Sequence, residues 1–182
     1  MSVTGTPPLS RGQGGTGTSG YVIGNSCRFD GVAGYLKKTF SGAGSTNKMT
    51  LSVWIKKCRA SSSTHYDYIM SFASGGDELR WDISTLELKS TIGGRLMETD
   101  QKLRDPTAWF HLVLSYDFTQ GTDTDRYRVW VNGEQVTALT GSFPTSGDVF
   151  GDWLKASTVH YLGVHSGLIS TRFFDGYMAE FI

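Results

Sequence analysis

Large apolar side chains recur at every second position in four stretches of this chain. Leu51, Val53 and Ile55 alternate with Ser52, Trp54 and Lys56, and Phe110, Leu112, Leu114, Tyr116 and Phe118 alternate with His111, Val113, Ser115 and Asp117. Tyr127, Val129 and Val131 alternate with Arg128, Trp130 and Asn132, and Tyr177, Ala179 and Phe181 with Met178, Glu180 and Ile182. Successive side chains of a strand point to opposite faces, so a period of two marks a strand with one face on a core. Both faces carry some large side chains, which places several of these strands centrally in a two-layer stack. Turn chemistry separates the runs. Asn132-Gly133 is the strongest hairpin signal, Gly75-Gly76-Asp77 divides a second pair of runs, and Gly93-Gly94 breaks a third. About ten to twelve short strands fit residues 27–182, the spacing of an all-β sandwich of two antiparallel sheets. No long segment keeps a helical period; the best helical candidate is a turn or two within residues 148–155, capped by Ser146 or Asp148.

The length of 182 residues fits one domain with an arm. Lys plus Arg number 17 and Asp plus Glu 17, so the formal net charge is zero. That balance argues against a general nucleic-acid binder and removes the electrostatic route to an anionic membrane surface. The apolar runs are too short for a membrane-spanning helix or a secretory signal. Residues 1–26 stand apart, with seven glycines and Arg11 as the lone charged residue. Pro7-Pro8 favours extended backbone and Gly14-Gly15 permits sharp bends. Such a segment is either a loose tail or an arm that orders on a partner. Residues 176–182 read as a strand with no polar close, from which the natural polypeptide is expected to continue past Ile182.

Cys27 and Cys58 are too few for a disulfide framework and are expected to be reduced thiols, neighbours in a sheet. His65, His111, His160 and His165 form no H-E-x-x-H, and a satisfied structural role is expected for His160 and His165. G-x-S-x-G, P-loop and dinucleotide fingerprints are all missing.

A set of motifs falls in a recognisable order: Phe29-Asp30-Gly31, Gly34-Tyr35-Leu36, MTLSVWIK at 49–56, LRDPTAWFHLVL at 103–114, SYDFTQGT at 115–122, RYRVWVNGEQV at 126–136, Tyr161-Leu162-Gly163 and FDGYMA at 174–179. In this order they resemble the laminin-G-like branch of the concanavalin A-like lectin and glucanase superfamily, over about residues 27–182. The resemblance is nearest to laminin-G-like domains of tail-fibre and other virion proteins of tailed bacteriophages. LSRGQGGTGT at 9–18 is similar to Gly-Gly-Thr-Gly stretches of phage fibre proteins. The resemblance implies a jelly-roll sandwich on the surface of a virion assembled in host cytoplasm, as a tail fibre, adaptor or capsid decoration. It implies that the arm, through Pro7, Pro8, Leu9, Arg11, Gly14 and Gly15, docks on other virion proteins. It also implies a homo-oligomer, with a trimer as one form, facing host-surface glycans. The alternative is a free carbohydrate-binding module or adhesin domain of a cell-surface protein.

Glucanases of the resembled superfamily carry paired carboxylates as E-x-D-x-E or E-x-D-x-x-E on one strand face. The lone E-x-D here, Glu98-Thr99-Asp100, lacks a third carboxylate, so the chain is expected not to be an enzyme. No cofactor is expected. Calcium, which laminin-G-like domains often hold, finds an incomplete pair of hard ligands in Asp123 and Asp125. Sugar binding needs aromatic faces and polar partners, and the candidates are His65, Tyr66, Trp81 and Trp153 with Asp82 and Asp152. Trp54, Trp109 and Trp130 are expected to be structural, and Asp30 and Asp175 to form turns.

Overall fold

The computed structural model describes residues 22–59, 66–72 and 76–182. The arm residues Pro7, Pro8, Leu9, Arg11, Gly14 and Gly15, and His65 as well, lie outside them. The alternating runs become strands in this order: β1 (Cys27–Asp30), β2 (Leu36–Thr39), β3 (Lys48–Lys57), β4 (Tyr66–Phe72), β5 (Glu78–Asp82), β6 (Glu87–Ile92) and β7 (Arg95–Thr99). Then follow β8 (Phe110–Asp117), the one-turn helix α1 (Asp123–Arg126), β9 (Tyr127–Val131), β10 (Glu134–Val136), β11 (Leu139–Gly141), β12 (Val159–Leu162) and β13 (Asp175–Ala179). They form two antiparallel sheets. One has six strands in the order β1-β13-β3-β8-β9-β10, the other seven in the order β11-β7-β6-β5-β4-β12-β2. The two-sheet all-β sandwich read from the alternation is the fold of the molecule.

Period two decides what lies between the sheets. Leu51, Val53 and Ile55 of β3, Leu112, Leu114 and Tyr116 of β8, and Tyr127 and Val129 of β9 are all buried. Ile69, Phe72, Leu79, Trp81, Leu88, Ile92 and Met97 meet them from the seven-stranded sheet in one cluster. A polar tie crosses the core, where Ser90 and the Tyr116 hydroxyl share a hydrogen bond of 2.7 Å. Asn132-Gly133 closes β9 on β10 with both φ angles positive, the conformation of a type I′ hairpin turn.

Two expectations change in detail, and the free thiols are as expected. Residues 148–155 form turns and bends rather than helix. Leu154 sits at φ +56°, outside the right-handed helical region, and Asp148 binds Thr145 and Arg95. The last strand stops at Ala179, because Glu180 turns to φ +50°; Ile182 then pairs with Ser52 through two backbone bonds. Cys27 and Cys58 are free, exposed thiols on either side of β13.

Gly163 fixes how the chain leaves β12. At φ +83° its backbone runs against the Phe29 ring, 2.3 Å from where a Cβ would stand, so a side chain there is excluded. From that point residues 164–173 fold back as a short hairpin over β4.

Candidate functional site

Of the six residues expected to hold a sugar, the two tryptophans require correction. Trp81 and Trp153 are 1% and 2% exposed and belong to the core cluster. In β5 the alternation Leu79, Trp81, Ile83 points inward, and Trp153 packs on Phe72 and Tyr116, with ring centres 4.6 and 5.7 Å away. Neither indole offers a face for a sugar to stack on. Tyr66 and Asp82 are brought together as cross-strand partners on the outer face of the seven-stranded sheet. Asp152, whose amide donates to Asp77, lies on the same turn as Trp153, apart from that pair.

Asp82 is committed to structure. Burial alone would raise its pKa, but the Ser84 hydroxyl, Lys89 and the amides of Thr85 and Ser84 outweigh burial and hold it near 2. Asp125 pairs with Arg128 at 2.7 Å, and the Asp123 carboxylate accepts from the Thr124 amide at 2.8 Å. No group of three or more His, Cys, Asp or Glu side chains placed to hold a metal occurs among the described residues. Asp123 and Asp125 thus have no third side-chain ligand beside them, among the described residues, for the calcium implied by the resemblance.

A row of half-buried aromatic side chains lies on the other sheet. Once Leu51, Val53 and Ile55 face the core, Trp54 must face out, and the same parity puts His111, Val113 and Trp130 outside. Trp54 sits opposite His111, and their rings stack at 4.8 Å. Val113 lies opposite Trp130 one row further on. In the other direction Tyr177 of β13 packs on Trp109 with ring centres 6.2 Å apart, and the Arg28 guanidinium lies 5.2 Å over the Tyr177 ring. The rings make a diagonal across β13, β3, β8 and β9, roughly 20 Å long by strand spacing and rise. Polar groups border it. The Ser52 hydroxyl bonds His111 Nε2 at 3.0 Å, and Asn132 Oδ1 accepts from the His111 amide at 2.9 Å. Trp54 and Trp130, expected to be structural, stand on this outer face, and parity with Leu51–Ile55 marks Trp54 as outward.

The outer face of the seven-stranded sheet is charged instead. Tyr68, Arg80, Lys89 and Glu98 stand in one cross-strand row. Lys89 reaches Asp82 at 3.0 Å and Glu98 at 2.7 Å, and Arg80 pairs with Glu78. Glu78, Arg80 and Asp82 share this face of β5, but the two carboxylates are four residues apart, about 13 Å along a strand. Glycosidase pairs stand about 5–5.5 or 6.5–9.5 Å apart. Glu98 is tied to Lys89, and Asp100 lies past the end of β7.

These two faces flank a sandwich whose family is identified by the chain itself. A laminin-G-type family model described as the concanavalin A-like lectin/glucanases superfamily matches residues 30–182. The chain belongs to that superfamily. A SAP-like pentraxin from Limulus polyphemus, described as a native heptamer, shares the fold with a TM-score of 0.57 at 14% identity, over 86% of this chain and 73% of its own. The LG1-3 region of the laminin alpha2 chain gives 0.55 at 16%, over 88% of this chain and 31% of its own. Domains LG4-5 of the mouse laminin alpha1 chain give 0.51 at 11%, over 97% and 46%. No curated protein matches significantly. At such identities the likeness of this laminin-G-type domain to those structures is one of fold.

Proposed function

We propose that this laminin-G-type domain is a non-enzymatic, lectin-like module that binds glycans through the outer face of its six-stranded sheet. The observation that carries the reading is the diagonal of Tyr177, Trp109, Trp54, His111 and Trp130, half-buried and bordered by Ser52 and Asn132. Aromatic faces stack on the apolar faces of sugars, and neighbouring polar groups take the hydroxyls. The ion pairing of Glu78 with Arg80, and of Asp82 and Glu98 with Lys89, supports binding without hydrolysis. The motif order over residues 27–182 and the Gly-rich stretch at 9–18 support a place on a bacteriophage virion surface. There the protein serves as tail fibre, adaptor or capsid decoration, with residues 1–26 docking on other virion proteins. Assembly as a homo-oligomer, a trimer among the forms, multiplies weak contacts by avidity.

A glycan array followed by titration calorimetry tests the binding. The domain is expected to retain a saccharide that Trp54→Ala no longer holds, and an empty array removes the reading. A particle map tests the setting: density for residues 1–26 against another virion protein is expected. A domain that never co-purifies with particles returns the choice to a free carbohydrate-binding module or adhesin.

A further inference from the structure

At the β12 side of the seven-stranded sheet, five side chains from three segments converge on one spot. Tyr66 and Tyr68 come from β4 and Arg80 from β5, all facing outward. A β-bulge at Ile69 resets the parity of β4, so that Ser71 faces out beyond the two tyrosines. Ser71 then seats the 164–173 hairpin, donating to the Val164 carbonyl at 2.7 Å and accepting from the Ser166 amide at 2.8 Å. The hairpin carries His165 and Arg172, joined through a backbone bond from the His165 amide to the Arg172 carbonyl at 3.0 Å.

The Arg80 and Arg172 guanidinium carbons lie 4.7 and 5.4 Å from the Tyr66 ring centre, and the His165 ring stands edge-on to Tyr68 at 4.7 Å. Glu78 pairs with Arg80, and its second oxygen lies 3.5 Å from His165 Nε2. Arg172 lies over the Tyr66 ring, and its charge acts on Tyr68. Among the described residues no carboxylate forms an ion pair with Arg172. Arg80 Nε is buried without a hydrogen-bond partner. Burial, then Arg172 and Arg80, lower the His165 pKa, so the imidazole is neutral near pH 7. Burial raises that of Tyr68, which keeps its proton. Glu78 is the one carboxylate that pairs with either guanidinium, since Asp82, opposite Tyr66, pairs with Lys89.

We propose that this cluster is a second ligand site, separate from the tryptophan face, which takes the anionic oxygen group of an acidic saccharide, a carboxylate or a sulfate. A guanidinium presents five donors in a planar fork matched to such groups. Glu78 occupies part of the Arg80 fork and forms no ion pair with Arg172. The Tyr66 ring, expected to stack on a sugar, is already overlaid by cations, so the site selects for charge rather than for an apolar sugar face. The saccharide rests on the glycan-binding reading; the recognition of an anion stands on the cluster itself.

The test is calorimetry on the full chain with oligogalacturonate, its fully methyl-esterified counterpart, a heparin-derived sulfated oligosaccharide and inorganic sulfate, with His165 followed by NMR titration. An acidic oligosaccharide is expected to bind about tenfold or more tighter than the neutral ester, and to raise the His165 pKa by offsetting the two guanidiniums. Arg172→Gln should abolish both effects, and Arg172→Lys should recover part of the affinity. Whether uronate or sulfate binds tighter identifies which anion the site takes. Equal binding of acid and ester that Arg172→Gln does not alter overturns the inference and leaves the glycan reading standing. If no saccharide binds, yet sulfate moves His165 in the wild type and not in Arg172→Gln, the glycan reading falls and the anion site survives.

Discussion

The two outer faces of this sandwich obey one parity rule and end with opposite chemistry. Across the six-stranded sheet the outward positions of the central strands hold Trp54, His111, Val113 and Trp130, with charges such as Arg28 and Lys48 toward the margins. On the seven-stranded sheet the outward positions of the central strands hold Arg80, Lys89, Glu98, Glu78 and Asp82, tied in ion pairs. The inward residues of both sheets are interchangeable in kind, since each must fill the same dry layer. Fold is therefore written in one half of each alternation and ligand chemistry in the other. A tryptophan means different things in the two halves, and Trp81 against Trp54 is the direct comparison.

The largest effect expected is on Trp81. Trp81→Ala empties a fully buried site and should cost about 3–5 kcal/mol of unfolding free energy. Trp54→Ala, on the half-buried outer face, should cost about 1 kcal/mol, mostly its stacking on His111. Urea midpoints of the two variants check this. Equal losses would erase the distinction between inward and outward tryptophans.

That distinction was legible in part. In ELRWDI, Leu79, Trp81 and Ile83 alternate with Glu78, Arg80 and Asp82 as plainly as Leu51, Val53 and Ile55 alternate with Ser52, Trp54 and Lys56. Both tryptophans could have been assigned by following parity. Trp153 could not, because it lies in a loop, where no period operates and burial depends on the tertiary path. The bulge at Ile69 was equally hidden, since YDYIMSF shows no alternation once the 164–173 hairpin covers its outer side. The meeting of Arg172 with Arg80, about ninety positions apart in the chain, depends on that hairpin and on no local signal.

A charge also lies inside, and it should respond to pH. Asp67 points between the sheets, is 1% exposed, and has one oxygen without a hydrogen-bond partner. Burial raises its pKa to about 7, against the opposing pull of Arg59, which lies 3.2 Å away. The folded chain therefore holds a proton that the unfolded chain releases near its ordinary value of 3.8. The stability from this proton is fully present below that value, falls as pH rises to about 7, and is flat above. The fall is a few kcal/mol at most. Asp67→Asn should remove this slope, so the stability of wild type minus variant should decline from pH 4 to pH 7. A difference that is level across that window would show Asp67 ionised in the fold.

On the six-stranded face, Trp54→Ala should weaken binding of a neutral saccharide by about 2 kcal/mol, roughly thirtyfold, as loss of a central aromatic anchor does. Raising the salt concentration should leave that affinity nearly unchanged. Calorimetry of wild type and variant at low and high salt measures both numbers. A strongly salt-dependent neutral ligand would mean that the face works by charge and that the contrast between faces is drawn wrongly.

The smallest effect belongs to the ion pairs of the seven-stranded face. Burial alone would lower the Lys89 pKa, but hydrogen bonds to Glu98 and Asp82 outweigh it and raise the value. Glu98→Gln removes one of these partners and leaves Asp82 in place at 3.0 Å. The Lys89 ammonium stays paired, and Glu98 itself is half-buried. The cost should be under about 1 kcal/mol, and high salt should narrow the gap between variant and wild type by screening what remains. Urea titrations at two salt concentrations measure it. A loss of several kcal/mol that salt does not touch would place Glu98 with the buried groups, and the seven-stranded face would then be a second core rather than a charged surface.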